Sequence, residues 1–209
     1  MKKEIFTMKK LVALLLATAM MFTCVACGGN ADGGNTEGNN VKVEIADSTE
    51  LFTKVWDEYK ASAGEDLQFP AGGGNTETMV MDVPGKFDPT IEYAEDSLLM
   101  QYCIPADTVA KTDDIATMMH MMMSNNFTGA VYHVTNAADV EAVVNSIKET
   151  TLNNQWMCGM PEKLIIVTVG EDYVFSAYGI GAIIDGFEAA LTTVYGDAAV
   201  VAVEENIAE

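Results

Sequence analysis

Residues 164–178 read LIIVTVGEDYVFSAY, and this stretch decides the fold. The unbroken apolar run at 164–169 is rich in β-branched residues and is typical of a central strand. A Gly-Glu-Asp turn at 170–172 follows, and the aromatic residues at 173–178 return the chain as a second strand. The stretch therefore predicts a hairpin within an antiparallel sheet.

The segments on either side of this hairpin extend the same pattern. Residues 115–123 and 127–134 are predicted strands, joined by a Ser-Asn-Asn turn. A helix is predicted from residue 136 to about residue 154, and an apolar stripe at 180–195 predicts another. The order from residue 115 is therefore ββαββα. We predict an α+β fold of two layers, in which helices cover one face of the antiparallel sheet.

An N-terminal helix at 48–62 is predicted to precede this unit, because its apolar residues recur at helical spacing. Asp47 and Glu50 form a capping box at the start of this helix. Residues 71–76, with the sequence AGGGNT, are predicted to be a loop because they are too rich in glycine for a core element. They also lack the Gly-Lys-Ser/Thr ending of a phosphate-binding loop.

The beginning of the chain has the pattern of a lipoprotein signal. Residues 8–29 read MKKLVALLLATAMMFTCVACGG, with two lysines before an apolar run at 11–22. That run is too short to span a bilayer comfortably, but it has the length of a signal-peptide core. Small residues then lead into Cys27, in a pattern that resembles the bacterial lipobox, where the cysteine becomes lipidated.

We therefore predict a removed signal peptide at 1–26 and a lipid on Cys27 that holds the protein on the extracytoplasmic face of the cell membrane. Cys24 stands where the lipobox usually has leucine. An ordinary secretory signal and a retained membrane helix are the alternatives. Residues 27–46, rich in Gly and Asn at their start, are predicted to be a flexible tether, and residues 47–209 a single domain.

The chain is strongly acidic, with a net charge of −20 and no arginine. Loss of residues 1–26 removes four lysines and one glutamate, which leaves 7 lysines against 30 acidic residues and a net charge of −23. This balance argues against binding to nucleic acid, which needs cationic side chains to neutralise phosphates. A basic partner, a metal cation or simple solubility outside the cell fits it better. No cofactor is predicted.

The sequence MMHMMM at residues 118–123 is the strongest candidate for chemistry. In a strand, Met118, His120 and Met122 would share one face, and thioether and imidazole groups are suitable ligands for Cu(I). The alternative is core packing, because methionine often fills gaps in apolar interiors.

The remaining candidates are isolated residues. Cys103 and Cys158 are either a disulfide or two buried free thiols, and an extracytoplasmic location permits the bridge. His133 has no cysteine at ligand spacing, and the motifs of zinc proteases and of serine hydrolases are missing from the sequence. A hydrolase would need a deep pocket with His120 or His133 beside a carboxylate.

With these elements placed, the chain resembles a Gram-positive lipoprotein family, domain of unknown function 4358, over roughly residues 85–195. The resemblance rests on the lipobox region, LLMQYCI at 98–104, MMMS at 121–124, the acidic helix from Asp139, Gln155, Pro161-Glu162 and the hairpin at 170–175. Cys103 stands where the family is expected to have glycine. Because the family has no established activity, the resemblance implies an anchor and an architecture but transfers no catalytic residue.

These observations predict a membrane-anchored extracytoplasmic module that binds or interacts without catalysis. A protein or cell-wall component is the expected partner. An extracytoplasmic hydrolase with an unrecognised site and a Cu(I)-handling lipoprotein that uses residues 118–123 are the alternatives. No catalytic residue is predicted, and the sequence does not indicate the ligand or the oligomeric state.

Replacement of Cys27 by alanine is expected to release the protein from the membrane fraction, because the thiol that would carry the lipid is lost. Fractionation of cells that produce the wild type or Cys27→Ala measures this release. The Cys24→Ala variant is the matched control and should stay with the membrane. Retention of Cys27→Ala in the membrane fraction would contradict the lipoprotein prediction.

Overall fold

The structure is a computed structural model that describes residues 43–157 and 159–208. The predicted signal peptide, Cys27, the tether up to residue 42 and Cys158 lie outside the described residues. The helices are α1 (Ser48–Ser62), α2 (Ala94–Met100), α3 (Ala106–Val109), α4 (Val140–Leu152) and α5 (Gly181–Tyr195). The strands are β1 (Ala71–Gly73), β2 (Val80–Met81), β3 (Gly85–Lys86), β4 (Thr112–His120), β5 (Phe127–Val134), β6 (Lys163–Val169), β7 (Tyr173–Gly179) and β8 (Ala199–Asn206).

The strands form one eight-stranded antiparallel sheet in the order β2-β1-β4-β5-β7-β6-β8, with β3 paired to β4 beside this path. The predicted hairpin is β6–β7, in which Leu164 pairs with Tyr178 and Val169 with Tyr173. From β4 to α5 the elements follow the ββαββα order, and α1 precedes them. The prediction of an α+β fold with an antiparallel sheet is confirmed.

Helices cover both faces of the sheet, so the predicted two-layer arrangement with helices on one face is wrong. Ile165 and Val167 of β6 pack with α1 and α5 in one cluster of buried side chains, which we call the α5 core. Leu164 and Ile166 of the same strand pack on the opposite face with α2 and α4, in the α4 core. Successive side chains of a strand point to opposite faces, and a strand that is apolar throughout needs cover on both. The domain therefore has three layers.

Aromatic rings fill the α5 core around one side chain of α5. Phe187 is fully buried, and its ring centroid lies 4.3 Å from those of Tyr59 and Phe127, in stacked arrangements. Phe52 and Trp56 of α1 complete the cluster, with centroids 6.4 and 6.0 Å from that of Phe187. Phe187 therefore joins α1, α5 and the sheet through direct ring contacts.

Polar contacts fix the start of α1. Asp47 caps the helix by accepting a hydrogen bond from the backbone N–H of Glu50 at 2.7 Å, which is one half of the predicted capping box. The Glu50 carboxylate accepts the backbone N–H of Ala46 at 2.6 Å, and not that of Asp47 as a capping box requires. The backbone N–H and hydroxyl of Ser48 donate to the carboxylate and carbonyl oxygens of Asp114 on β4, at 2.7 and 3.1 Å. These bonds tie the first turn of α1 to the sheet.

The chain enters the domain beside the turn that joins β6 and β7. Val43 and Ile45, at the end of the predicted tether, are partly buried against the α5 core. They line a cavity of about 110 Å³ together with residues 169–173. The N-terminal chain therefore meets the sheet at the end that carries the β6–β7 turn.

The predicted loop at 71–76 is partly wrong, because Ala71–Gly73 form strand β1 between β2 and β4. A Cβ atom on Gly73 would lie 2.3 Å from the backbone nitrogen of Gly85, so β1 and β3 approach more closely than a side chain allows. The contact between β1 and β3 therefore requires glycine at residue 73. Glycine has a poor strand propensity, but pairing with β2 and β4 holds this segment in a strand.

Truncation of Phe187 to alanine should lower the free energy of unfolding by about 3–5 kcal/mol, because it removes the ring at the centre of the α5 core and leaves a cavity. Urea denaturation followed by circular dichroism measures the loss. Val200→Ala on β8, where the side chain is 55% exposed, is the control and should change stability by less than about 0.5 kcal/mol. Equal effects of the two substitutions would contradict the central role of Phe187.

Candidate binding site at the methionine-rich end of the sheet

One end of the sheet carries a group of exposed methionines. It is the end where β4 and β7 finish and β5 and β6 begin. The residues that we call the methionine-rich end are Met100, Met122, Met123, Met157 and Met160. Met122 and Met157 are the most exposed, at 81% and 76%. Exposed apolar patches mark interaction sites, and flexible methionines suit surfaces that adapt to a partner.

A cavity of about 220 Å³ opens among these methionines, and we call it the groove. It is lined by Met100, Gln101, Ser124, Asn125, Asn154, Gln155, Trp156, Met157 and Tyr178. Thioether and aromatic groups provide its apolar surface, while amide and hydroxyl groups provide hydrogen-bond donors and acceptors. None of these nine side chains is ionisable near neutral pH, so the groove offers binding contacts but no acid–base catalyst.

Hydrogen bonds between the lining segments hold the groove in shape. The side-chain amide of Asn125 donates to the carbonyl oxygens of Met157 and Gly159, at 2.9 and 2.6 Å. The hydroxyl of Tyr178 on β7 donates to the carbonyl oxygen of Gln101 at 2.5 Å. The Tyr178 ring also meets that of Trp156 edge to face, with centroids 4.7 Å apart. The groove is therefore formed before any ligand enters it.

Burial keeps Tyr178 in its neutral form. Removal of its ring from water raises the pKa of the phenol, and the nearby thiol of Cys103 acts in the same direction. The hydroxyl therefore remains a hydrogen-bond donor across the physiological range, and its bond to Gln101 persists there.

The structure does not bring the predicted Cu(I) ligands together. Met118 is fully buried in the α5 core, whereas Met122 is exposed beyond the end of β4. The ring of His120 stacks on Phe69 with centroids 5.1 Å apart. Its Nδ1 atom accepts the backbone N–H groups of Met122 and Met123, at 3.0 and 3.2 Å, so that nitrogen is not free to bind a metal.

His133 lies between two carboxylates at the opposite end of the sheet. Its Nδ1 atom is 2.5 Å from Asp113 Oδ1, and its Nε2 atom is 3.4 Å from Asp172 Oδ2. Burial opposes the charged form, but the bonds and charges of the two aspartates outweigh it and raise the pKa of His133. No hydroxyl or thiol of the described residues is hydrogen-bonded to His133, so the cluster stabilises a charged imidazole and does not activate a nucleophile.

Cys103 is fully buried in the α4 core, and burial raises the pKa of its thiol to about 11. The side-chain amide of Asn154 donates to its sulfur at 3.6 Å. Its backbone is left-handed, with φ of 55°, a conformation that favours glycine. The proposed partner Cys158 lies outside the described residues, so the disulfide stays a prediction.

Comparison with protein-family models, with curated proteins and with solved structures found no match. The resemblance to the lipoprotein family therefore stays a prediction. Within residues 43–157 and 159–208, no helix is long and apolar enough to cross a membrane. The same residues contain no group of three or more His, Cys, Asp or Glu side chains suited to a metal ion.

The sequence analysis missed the groove. Its lining comes from four separate segments, and no spacing along the chain reveals that they meet. One signal was present, because the segment at 156–160 reads WMCGM and places large apolar residues next to a proline turn. Apolar residues in a turn that lacks helical or strand spacing indicate exposed contact surface.

The His133 cluster predicts a specific dependence of stability on pH. The pKa of His133 is raised in the folded state, so its ion pairs stabilise the fold when the imidazole is charged. This contribution to the free energy of unfolding is complete below the unfolded-state pKa of about 6.5, and it is lost as the pH rises through the folded-state pKa. From about pH 6 to about pH 9, the free energy of unfolding of the wild type should fall by up to ~1 kcal/mol relative to that of His133→Gln. The loss is small because both aspartates are partly exposed. Urea denaturation of both proteins at the two pH values measures this difference.

His120→Gln is the control with the opposite sign. Burial lowers the pKa of His120, so the folded protein favours the neutral imidazole. The contribution of His120 to the free energy of unfolding is therefore complete above about pH 6.5 and is lost as the pH falls through its folded-state pKa. A wild type that keeps the same stability difference from His133→Gln at both pH values would contradict the assignment of a charged imidazole.

Proposed function

We propose that this protein is a membrane-anchored extracytoplasmic binding module that holds an apolar, basic segment of a partner protein in the groove and does not catalyse a reaction. The observation that carries the proposal is the preformed groove, which is uncharged and is bordered by exposed methionines. The lipobox pattern around Cys27 supports the anchor and the compartment.

The chemistry of the groove favours a protein segment as the ligand. Trp156, which packs edge to face on the buried ring of Tyr178, presents aromatic surface, and such residues are enriched at the energetic centres of protein interfaces. The amides of Gln155 and Asn154 lie in the same lining and can pair with peptide groups. Methionine side chains around them can adjust to the shape of apolar side chains.

The charge of the domain favours a basic partner. The six lysines of the described residues each pair with an acidic side chain within 4.0 Å: Lys54 with Glu50, Lys60 with Asp57, Lys86 with Asp114, Lys111 with Asp139, Lys148 with Glu205 and Lys163 with Asp185. Acidic residues outnumber basic ones by 20 in the whole chain, so carboxylates remain in excess after this pairing. A partner with lysine or arginine beside its apolar residues would gain from this field in encounter rate and orientation.

We also propose membership of the domain of unknown function 4358 family. The position of Cys103 supports it, because the family pattern is expected to have glycine there and the backbone at this residue is left-handed. Residues other than glycine are uncommon in the left-handed conformation. The agreement between the family's expected glycine and the backbone of Cys103 is therefore more specific than a match of apolar residues.

Selection of displayed peptides against the full-length protein in detergent tests the proposed function. We expect the selected peptides to be rich in apolar and basic residues. Met157→Lys and Met100→Lys should each weaken their binding by roughly tenfold or more, because a positive charge that repels the basic residues of the ligand replaces apolar surface in the groove. Calorimetry or fluorescence polarisation with the selected peptides measures this loss.

Val200→Lys is the matched control, since it places the same charge on an exposed apolar position of the β8 edge. It should bind the peptides as the wild type does. Equal binding by all three variants, or selection that yields only acidic peptides, would contradict a basic ligand in the groove. Conversion of any peptide into products would contradict the absence of catalysis.

A further inference from the structure

Four methionines surround Gly72 on one face of the sheet, and none of them lines the groove. Gly72 of β1 pairs with Met81 of β2 on one side and with Met119 of β4 on the other. Directly paired residues in antiparallel strands share a face, so both thioether side chains flank the position where Gly72 has none. Met79 and Met121 come two residues from these partners along their own chains, and their sulfurs reach the same position.

The absent side chain of Gly72 leaves the space in which two sulfurs meet. A Cβ atom on Gly72 would lie 2.4 Å from the sulfur of Met79 and 2.5 Å from that of Met121, so these sulfurs are at most about 4.9 Å apart. Two sulfurs on opposite sides of one metal ion, each at a bond length of about 2.3 Å, would be separated by about 4.6 Å. The upper limit on the sulfur separation is close to this value, so the flexible methionine side chains need to move only slightly to bring both sulfurs to one ion.

We propose that Met79 and Met121 bind one Cu(I) ion beside Gly72, with Met119 and Met81 as further thioether ligands. Thioethers are soft, neutral ligands that select Cu(I) over Zn²⁺, Mg²⁺ and Ca²⁺. They carry no proton to displace, so binding does not require deprotonation of the site. The excess of carboxylates in the chain attracts a cation to the surface.

The exposure of these side chains distinguishes the site from core packing. Met118, on the other face of β4, is fully buried and fills the α5 core as an interior methionine does. Met81 and Met121 are 57% and 41% exposed and Met79 is partly buried, whereas Met119 packs against the α4 core with only part of its side chain accessible. An ion can therefore reach the sulfurs from solvent, and the ligands belong to two strands or their ends, β2 and β4, which lie on either side of β1.

Titration of the full-length protein in detergent with Cu(I), under anaerobic reducing conditions and against a chromophoric Cu(I) chelator, tests the proposal. The wild type should bind one Cu(I) per chain. X-ray absorption of that complex should show sulfur ligands without an imidazole. Silver(I), which is also a soft monovalent cation, should compete for the same site in an anaerobic titration from which the reductant is left out.

Gly72→Ala is the most specific variant, because it keeps every thioether and adds one methyl group between the two sulfurs. It should weaken Cu(I) binding by at least about tenfold, and Met79→Leu and Met121→Leu should do the same. Met122→Leu removes an exposed thioether outside the site and should leave the affinity unchanged. Denaturation curves establish that each variant is folded, and if Gly72→Ala is not, the two leucine variants decide the outcome.

Three results would overturn the proposal. They are no uptake of Cu(I) by the wild type, unchanged affinity in the folded variants of Gly72, Met79 and Met121, and an imidazole ligand in the absorption spectrum. The last result would assign the copper to His120 instead. None of them bears on peptide binding in the groove, because Met79 and Met121 are not part of its lining.

Discussion

The structure depends on the complete burial of its central strand. All seven residues of β7 are buried, and the strand lies between β5 and β6 with apolar side chains on both faces. A strand of this kind is stable only if packed elements exclude water from both sides. α1 and α5 meet this need on one face, and α4 meets it on the other. With both faces covered, the ends of the strands and the edges of the sheet remain open to ligands, and both proposed sites lie there.

Local patterns in the sequence were sufficient for the order of elements, because each signal lies within the element that it specifies. The hairpin at β6–β7, the cap of α1 and the ββαββα order are of this kind. The face that each helix covers was not predictable, since an apolar stripe indicates a buried side of a helix but not which face of the sheet receives it. Strand β1 was missed for a related reason: its Ala-Gly-Gly sequence has little strand propensity, and its conformation comes from the close approach of Gly73 and Gly85.

The candidate sites were less predictable than the fold. The methionine run at 118–123 includes the end of β4, but its predicted faces assumed that the strand continues to residue 123. The strand ends at His120, whose imidazole accepts the backbone N–H groups of Met122 and Met123 and turns the chain. The groove and the sulfur pair at Gly72 both form from residues that are distant in sequence, and only the register of the sheet brings them together.

The entry point of the N-terminal chain has a geometric consequence. Val43 and Ile45 pack beside the β6–β7 turn, whereas the methionine-rich end lies at the other end of the same strands. At about 3.3 Å per residue, the length of β6 separates these two ends by about 20 Å. The groove therefore opens at the end of the strands opposite to residues 43–45, and a segment bound in it would leave the contacts of Val43 and Ile45 with the α5 core intact.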